Sequence, residues 1–351
     1  MEQDSDLEKA KKLYTYVTQN FNWNRFHGRV HDVTADELLV SKTGNGASIN
    51  HFLTLLMKNA GLDAYTAIMS TKGNGRTSEY PILNKFNHSL AVVKIDGEYI
   101  LLDAIYSTIP FGSLHKNLLA EKAFLLNKKD PRWIPIPISK KSSTTVAINT
   151  SLVDGQLKSI LSLLTKDHLA YQERIKYLKA ESTESYILND ILDSPDHISV
   201  DSFILQNGSE KFDQPLKLQA YIKDNESSFS EDMIYLSPFA SFKSSNPFKS
   251  FTRVFPIDFY FPYRNRYSYT FNIPEGYEIV EMPESAHLII DGKKAEYSYA
   301  ISQLGNKIMI SSVFKVNDPL FYPVEYPHLK ELFDRMISKK EEVIVLKKKA
   351  E

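Results

Sequence analysis

His88 opens an apolar strand-like run and Asp103 ends the next one. Both follow the glycine turn Gly44-Asn45-Gly46-Ala47-Ser48-Ile49-Asn50, which starts an apolar helix. A histidine oriented by a carboxylate can take a proton from a nucleophile. A helix start carries about half a positive charge and stabilises an anion or thiolate beside it. That order suits acyl-transfer chemistry if a nucleophile stands at the helix start. The chain contains no cysteine, and Gly46 offers no side chain. Ser48 lies two residues on, about 200° around the helix, so it points away from Gly46 and reads as an N-terminal cap. Water activated by His88 and Asp103 is another route, with room beside Gly46, and weak against amides. A structural pair fits equally well, with Asp103 fixing a turn and His88 a satisfied histidine before an apolar strand.

Other motifs carry less. His27 and His31 have the four-residue spacing of a metal pair on a helix, but Gly28 and its charged neighbours read as a loop. Lys72-Gly73-Asn74-Gly75-Arg76 lacks the Gly-Lys-Ser/Thr ending of a phosphate loop and reads as a turn. The run from Phe255 to Tyr263 could stack a sugar or peptide, with domain-interface packing as the plainer account. Lys347-Lys348-Lys349 reads as a solvated tail.

These side chains need a scaffold, and its elements are legible. A helix capped by Asp6 is predicted to about residue 20, with Leu7, Ala10, Leu13, Tyr14 and Val17 at helical spacing. A second is predicted over 47–60, with Ile49, Phe52, Leu53, Leu56 and Met57 as its buried stripe and Gly61 past its end. A strand over 62–70 and a long polar loop over 71–85 follow. Residues 89–95 and 98–103 flank Asp96-Gly97, a strong signal for a hairpin with a type I′ turn. The proline-rich stretch over 130–137 reads as the exit from this domain. Beyond it come short strands near 144–151, 156–164, 199–205, 216–222, 233–236, 266–273, 287–290, 296–301 and 307–314. A helical insertion over 166–192, a helix from Pro327 and a last strand near 343–346 complete the pattern.

Bulk properties set limits. The 351 residues carry 42 basic and 43 acidic groups, a net charge of −1, so no global field favours nucleic acid or an anionic membrane. No apolar run approaches the ~20 residues of a membrane span. The start, Met1-Glu2-Gln3-Asp4-Ser5-Asp6, has no signal-peptide pattern and reads as the cut end of a longer protein. No cofactor or metal is expected.

The order of glycine turn into helix, strand with His88 and strand with Asp103 resembles the core of transglutaminase-like, papain-type domains. The resemblance implies a cysteine at the helix start, and that position falls on Gly46. His88 and Asp103 occupy the other two triad positions, and Asn45, Gly46, Ser48, Asn87, His88 and Asp103 are the implied binding residues. Thiol catalysis is then unavailable, and the resemblance implies a pseudoenzyme. Further along, Asn246-Pro247-Phe248, Arg253 to Pro256, Tyr269 to Tyr277 and Asp318-Pro319-Leu320 through Tyr326-Pro327 resemble an uncharacterised β domain. It stands behind transglutaminase-like domains in Bacteroidetes envelope proteins. Such proteins usually carry a secretion signal and another β domain in front, so the chain's own missing N-terminal β domain is an implied partner.

The expectation is therefore an α+β protein. Residues 1–140 form a papain-like transglutaminase core, and 141–351 an antiparallel β-rich, sandwich-like domain with inserted and terminal helices. The implied function is non-catalytic binding of a peptide or protein in the cell envelope through a degenerate groove. The alternatives are a hydrolase or acyl transferase around His88, Asp103 and possibly Ser48, and a purely structural interaction module.

Overall fold

The computed structural model describes residues 4–139, 141–193, 196–225, 232–242 and 245–349; the acidic start as far as Gln3 lies outside them. The chain divides into two compact units, Met1–Ile138 and Ser139–Glu351.

In the first unit, helix α1 spans Asp6–Asn20. Its cap is Ser5 and not Asp6. The Ser5 hydroxyl accepts from the Glu8 amide, and the Glu8 carboxylate accepts from the Ser5 amide at 2.8 Å. Asp6 instead sits in the first turn, where its charge opposes the positive helix end. A short helix, α2 (Ala35–Ser41), carries the same reciprocal box between Thr34 and Glu37. Helix α3 (Gly46–Asn59) buries Ile49, Phe52, Leu53 and Met57 against Ala10, Tyr14 and Val17 of α1 and against the sheet.

That sheet has five strands, β1 (Asp63–Met69), β2 (His88–Ile95), β3 (Glu98–Leu102), β4 (Lys122–Leu126) and β5 (Arg132–Pro135). Their spatial order is β3-β2-β1-β4-β5, all antiparallel. The β2–β3 hairpin turns on Asp96 (φ 51°) and Gly97 (φ 86°), the two left-handed residues its sequence called for. The proline-rich stretch forms edge strand β5, since Pro135 costs least where no partner needs its missing N–H.

The second unit is β-rich. Strands β6 (Ser142–Val153) and β7 (Gln156–Lys166) lead to helix α4 (Asp167–Lys179), then β8 (Ile198–Gln206), β9 (Leu216–Asp224) and β10 (Met233–Leu236). Next come β11 (Tyr263–Asn272), β12 (Tyr277–Glu281), β13 (Ala286–Ile289), β14 (Ala295–Leu304) and β15 (Lys307–Val316), then helix α5 (Tyr326–Glu341) and β16 (Ile344–Lys348). An eight-stranded sheet runs β8-β9-β7-β6-β11-β15-β14-β13, parallel between β6 and β11 and antiparallel elsewhere. A smaller sheet orders β10-β16-β12. Both sheets and α5 contribute to one core, through Leu161, Phe271, Ile310, Ile234, Leu346 and Leu329 among others. The Phe255 to Tyr263 run divides. Phe261 is buried, Phe259 packs on Phe321 at 5.7 Å, and Phe255 stays 77% exposed.

Candidate functional site

The first turn of α3 sends side chains in different directions. Gly46 faces His88, and Asn50, one turn later on the same side, faces Asp103. Ser48 points the other way, toward Asp32. His88 is at the head of β2 and Asp103 directly follows β3, so the hairpin register brings them together. Both are 0% exposed.

His88 Nε2 lies 3.4 Å from Asp103 Oδ2, but neither atom is in a hydrogen bond. The other carboxylate oxygen, Oδ1, accepts from Asn50 Nδ2 at 2.6 Å. Asn50 Nδ2 also donates to the Ser89 carbonyl at 2.9 Å, and Asn50 Oδ1 accepts from the Ala104 amide at 2.8 Å. Asn50 thus locks Asp103 to the helix. Sequence reading missed it, although its four-residue offset from Gly46 placed it on the same helix face.

The larger surprise is His27. Read as a loop residue, it brings Nδ1 to 3.1 Å from His88 Nδ1, with the rings edge to face and centroids 4.7 Å apart. One nitrogen must donate and the other accept. Burial lowers the His27 pKa, the neighbouring His88 lowers it further, and Asp103 works in the opposite direction. On its other side His27 packs on Trp23 at 5.0 Å. Trp23 meets Tyr106, which stacks on His115 at 4.5 Å. His31 leaves this group and lies edge-on to His51, 6.0 Å away. No trio of metal-ligating side chains occurs among the described residues.

The backbone around His27 covers the helix start. The Phe26 carbonyl accepts from the Gly46 amide and the Trp23 indole, each at 2.8 Å, and the His27 carbonyl accepts from the Ala47 amide at 3.1 Å. Two N–H groups converging on one carbonyl oxygen is the arrangement that stabilises an oxyanion, and here the chain's own carbonyl fills it. The Phe26 ring meanwhile stays 73% exposed. Two left-handed residues bracket this strap, Arg25 (φ 74°) and Gly28 (φ 72°), and Gly28 bridges to His88. A β-carbon on Gly46 would stand 2.7 Å from the His27 carbonyl oxygen and 2.9 Å from His88 Cε1. The closed strap therefore leaves no space for a side chain at residue 46.

The remaining expected residues have other tasks. Asn45, and not Ser48, caps α3: its Oδ1 accepts from the Ser48 amide at 2.8 Å, and its Nδ2 donates to the Val30 carbonyl. Ser48 Oγ donates to Asp32 Oδ1 at 2.8 Å, which leaves it turned from His88. Asn87 pairs with Thr71 through Oδ1 and Nδ2 and anchors the long loop instead of joining the site. Asp32, unremarked in the sequence, also accepts from the Asn45 amide and from Asn24. Burial alone would raise its pKa, but the hydrogen bonds from Asn45, Ser48 and Asn24 outweigh that and lower it.

With this geometry established, the chain can be set beside known proteins. Residues 1–104 match the transglutaminase-like superfamily, and residues 232–346 match a domain of unknown function with solved structure, DUF3858. A crystal structure described as that of a "putative protease" from Parabacteroides distasonis ATCC 8503 superposes with TM-score 0.50 at 14% identity, a likeness of fold alone. The match covers 99% of this chain and 53% of that one, so the chain spans about half that protein's length. No curated protein matches. The first unit carries a transglutaminase-like domain, and the fold is α+β. No helix among the described residues is long and apolar enough to cross a membrane.

Proposed function

We propose that this transglutaminase-like protein is non-catalytic and binds peptide or protein segments over its degenerate groove, as part of the cell envelope. One observation carries the reading: the helix start at Gly46 has neither a side chain nor space for one. A hydrolytic route through water is disfavoured by the same arrangement. The imidazole nitrogen turned toward Gly46, His88 Nδ1, is engaged by His27.

The binding part rests on what the groove already holds. A stretch of irregular polypeptide, Phe26 to Gly28, has the Phe26 and His27 carbonyls on Gly46, Trp23 and Ala47 and its far end bridged to His88. Around it, Trp23, Tyr106 and His115 form a half-buried aromatic rim beside the exposed Phe26 ring. Rings of this kind anchor peptides at low entropic cost. The envelope location rests on the resemblance to Bacteroidetes envelope proteins.

The test is a fluorescence-anisotropy screen of labelled peptides, run beside assays for peptide hydrolysis and for amine incorporation. Binding that Trp23→Ala weakens about tenfold, with no turnover, is the expected result. Turnover that His88→Ala abolishes would make the protein an enzyme. Absence of any ligand, with His88→Ala costing only stability, would make it a structural module.

A further inference from the structure

We infer that the strap from Arg25 to Gly28 is a pH-sensitive latch, held closed over the groove by the His27–His88 contact and released when both of these rings are protonated. The inference deepens the proposed binding role by giving it a control, and rests on that reading for its purpose alone. The latch itself is a property of the fold.

One hydrogen bond sets the proton count of the histidine pair. His27 and His88 meet Nδ1 to Nδ1 at 3.1 Å, so one nitrogen must present a lone pair to the other. The contact survives while the two rings hold one charge between them, because the neutral ring still accepts. It fails when both are charged, since two N–H groups then face each other and two cations stand in contact. The groups facing His27 decide where the first charge is compensated. β2 presents His88, and behind it Asp103 follows β3 with Oδ2 against His88 Nε2. α3 presents only the Gly46 and Ala47 backbone, and Trp23 packs on the outer face as an uncharged ring. Asp103 therefore stands against His88 and acts on His27 only at longer range.

Linkage then gives the direction. Closed, His27 has its pKa lowered by burial and by His88. Open to water it returns to about 6.5. The open form binds the proton more readily, so the closed form is favoured above about pH 6.5 and loses ground as pH falls below it.

The strap is also built to move. Arg25 is held at φ 74°, a conformation that non-glycine residues avoid. Phe26 gains little from burial, its ring being 73% exposed. What holds the strap shut is polar: the two carbonyls on α3 and Trp23, the histidine pair and the Gly28 bridge. The next residues are pinned more firmly, Arg29 by Ser89 Oγ on its carbonyl and Val30 by Asn45. Opening would hinge at Gly28 and uncover the Gly46 and Ala47 amides together with His88.

Hydrogen exchange of the full chain reads this without any ligand. Amides of Gly46 and Ala47 are followed near pH 7.5 and near pH 5, corrected for intrinsic rates, with Val92 in mid-β2 as internal control. Their protection is expected to fall on acidification, while that of Val92 holds. His27→Gln keeps a side-chain amide that can donate to His88 but cannot titrate, and should hold its protection at both pH values. In a Trp133→Phe background Trp23 is the sole tryptophan, and its emission should shift to the red over the same range. Unchanged protection of Gly46 and Ala47 in the native chain would overturn the latch. So would an equal fall in His27→Gln, which assigns the opening to another group. Either result leaves peptide binding to be judged by its own screen, so the two failures stay distinguishable.

Discussion

Two polar clusters share the first turn of α3 and differ in how fully their atoms are satisfied. On the outer side, Asp32 accepts from Asn45, Ser48 and Asn24, and Ser48 Oγ accepts in turn from the Asp32 amide at 3.1 Å. On the inner side, His88 Nε2 and Asp103 Oδ2 face each other across 3.4 Å, buried and unbonded. The outer cluster lies near solvent and is nearly saturated; the inner one is sealed and retains spare capacity. A saturated network fixes a loop against a helix and has little left to give. A buried pair with unused donors and acceptors costs stability, and such a cost points to a task beyond packing. The contrast supports reading Ser48 and Asn45 as scaffold, and His88, Asp103 and His27 as the part of the domain that responds to its surroundings.

The comparison can be broken most forcefully from the inner side. Asn50→Ala removes the one hydrogen bond that ties Asp103 Oδ1 to the helix and leaves the Ser89 carbonyl and the Ala104 amide without this partner, so about 3 kcal/mol of stability should be lost. Both tryptophans, Trp23 and Trp133, lie in the first unit, so urea unfolding followed by their fluorescence reports that unit directly. A loss no larger than that of an outer-side variant would erase the distinction. Gly46→Ala comes next. Its methyl group meets the His27 carbonyl oxygen at 2.7 Å, so the strap must move, at about 1–3 kcal/mol, and Trp23 emission should shift. An unchanged spectrum would mean that the strap yields without opening.

The outer side should give the smallest change. Asp32 is exposed and screened, and Asp32→Asn should cost about 1 kcal/mol or less near neutral pH. Its pH signature sharpens the contrast. Burial raises the Asp32 pKa, but the hydrogen bonds from Asn45, Ser48 and Asn24 prevail and lower it. The stabilisation is therefore complete above the ordinary value of 3.8 and fades as pH falls through the lowered value. Urea midpoints of native and Asp32→Asn protein should converge as the medium is taken well below pH 4. Midpoints that stay apart in acid would show that Asp32 acts through packing and not through its charge.

Much of this was legible beforehand. Helix α3, the Asp96-Gly97 hairpin and the β-rich second half follow from periodicities of 3.6 and 2 and from turn residues needing positive φ, all properties of neighbouring residues. The His88–Asp103 juxtaposition was legible for a related reason. The hairpin places the first residue of β2 and the residue just after β3 at one end of the sheet. Asn87, just ahead of β2, pairs with Thr71, a contact across 16 residues that no local pattern encodes. The cap falls on Asn45 and not on Ser48. The cap is the residue before the first helical one, and a helix that begins at Gly46 makes that residue Asn45, with Ser48 already inside the first turn.

Residue identity alone rules out a thiol, leaves the helix start bare at Gly46 and sets a histidine and an aspartate downstream of it. Those facts are set by residue identity and by order along local elements. Only the tertiary structure decided that His27, 61 residues from His88, would close over the site and place a carbonyl of its own segment on the helix amides. No periodicity encodes that contact, because its segment is irregular. Its position follows from two left-handed turns and from the Asp32 and Asn45 side chains that pull its far end onto α3. Local pattern fixes which faces are apolar. Which loop finally covers a polar opening is settled by where unsatisfied backbone donors find carbonyls once those faces have packed.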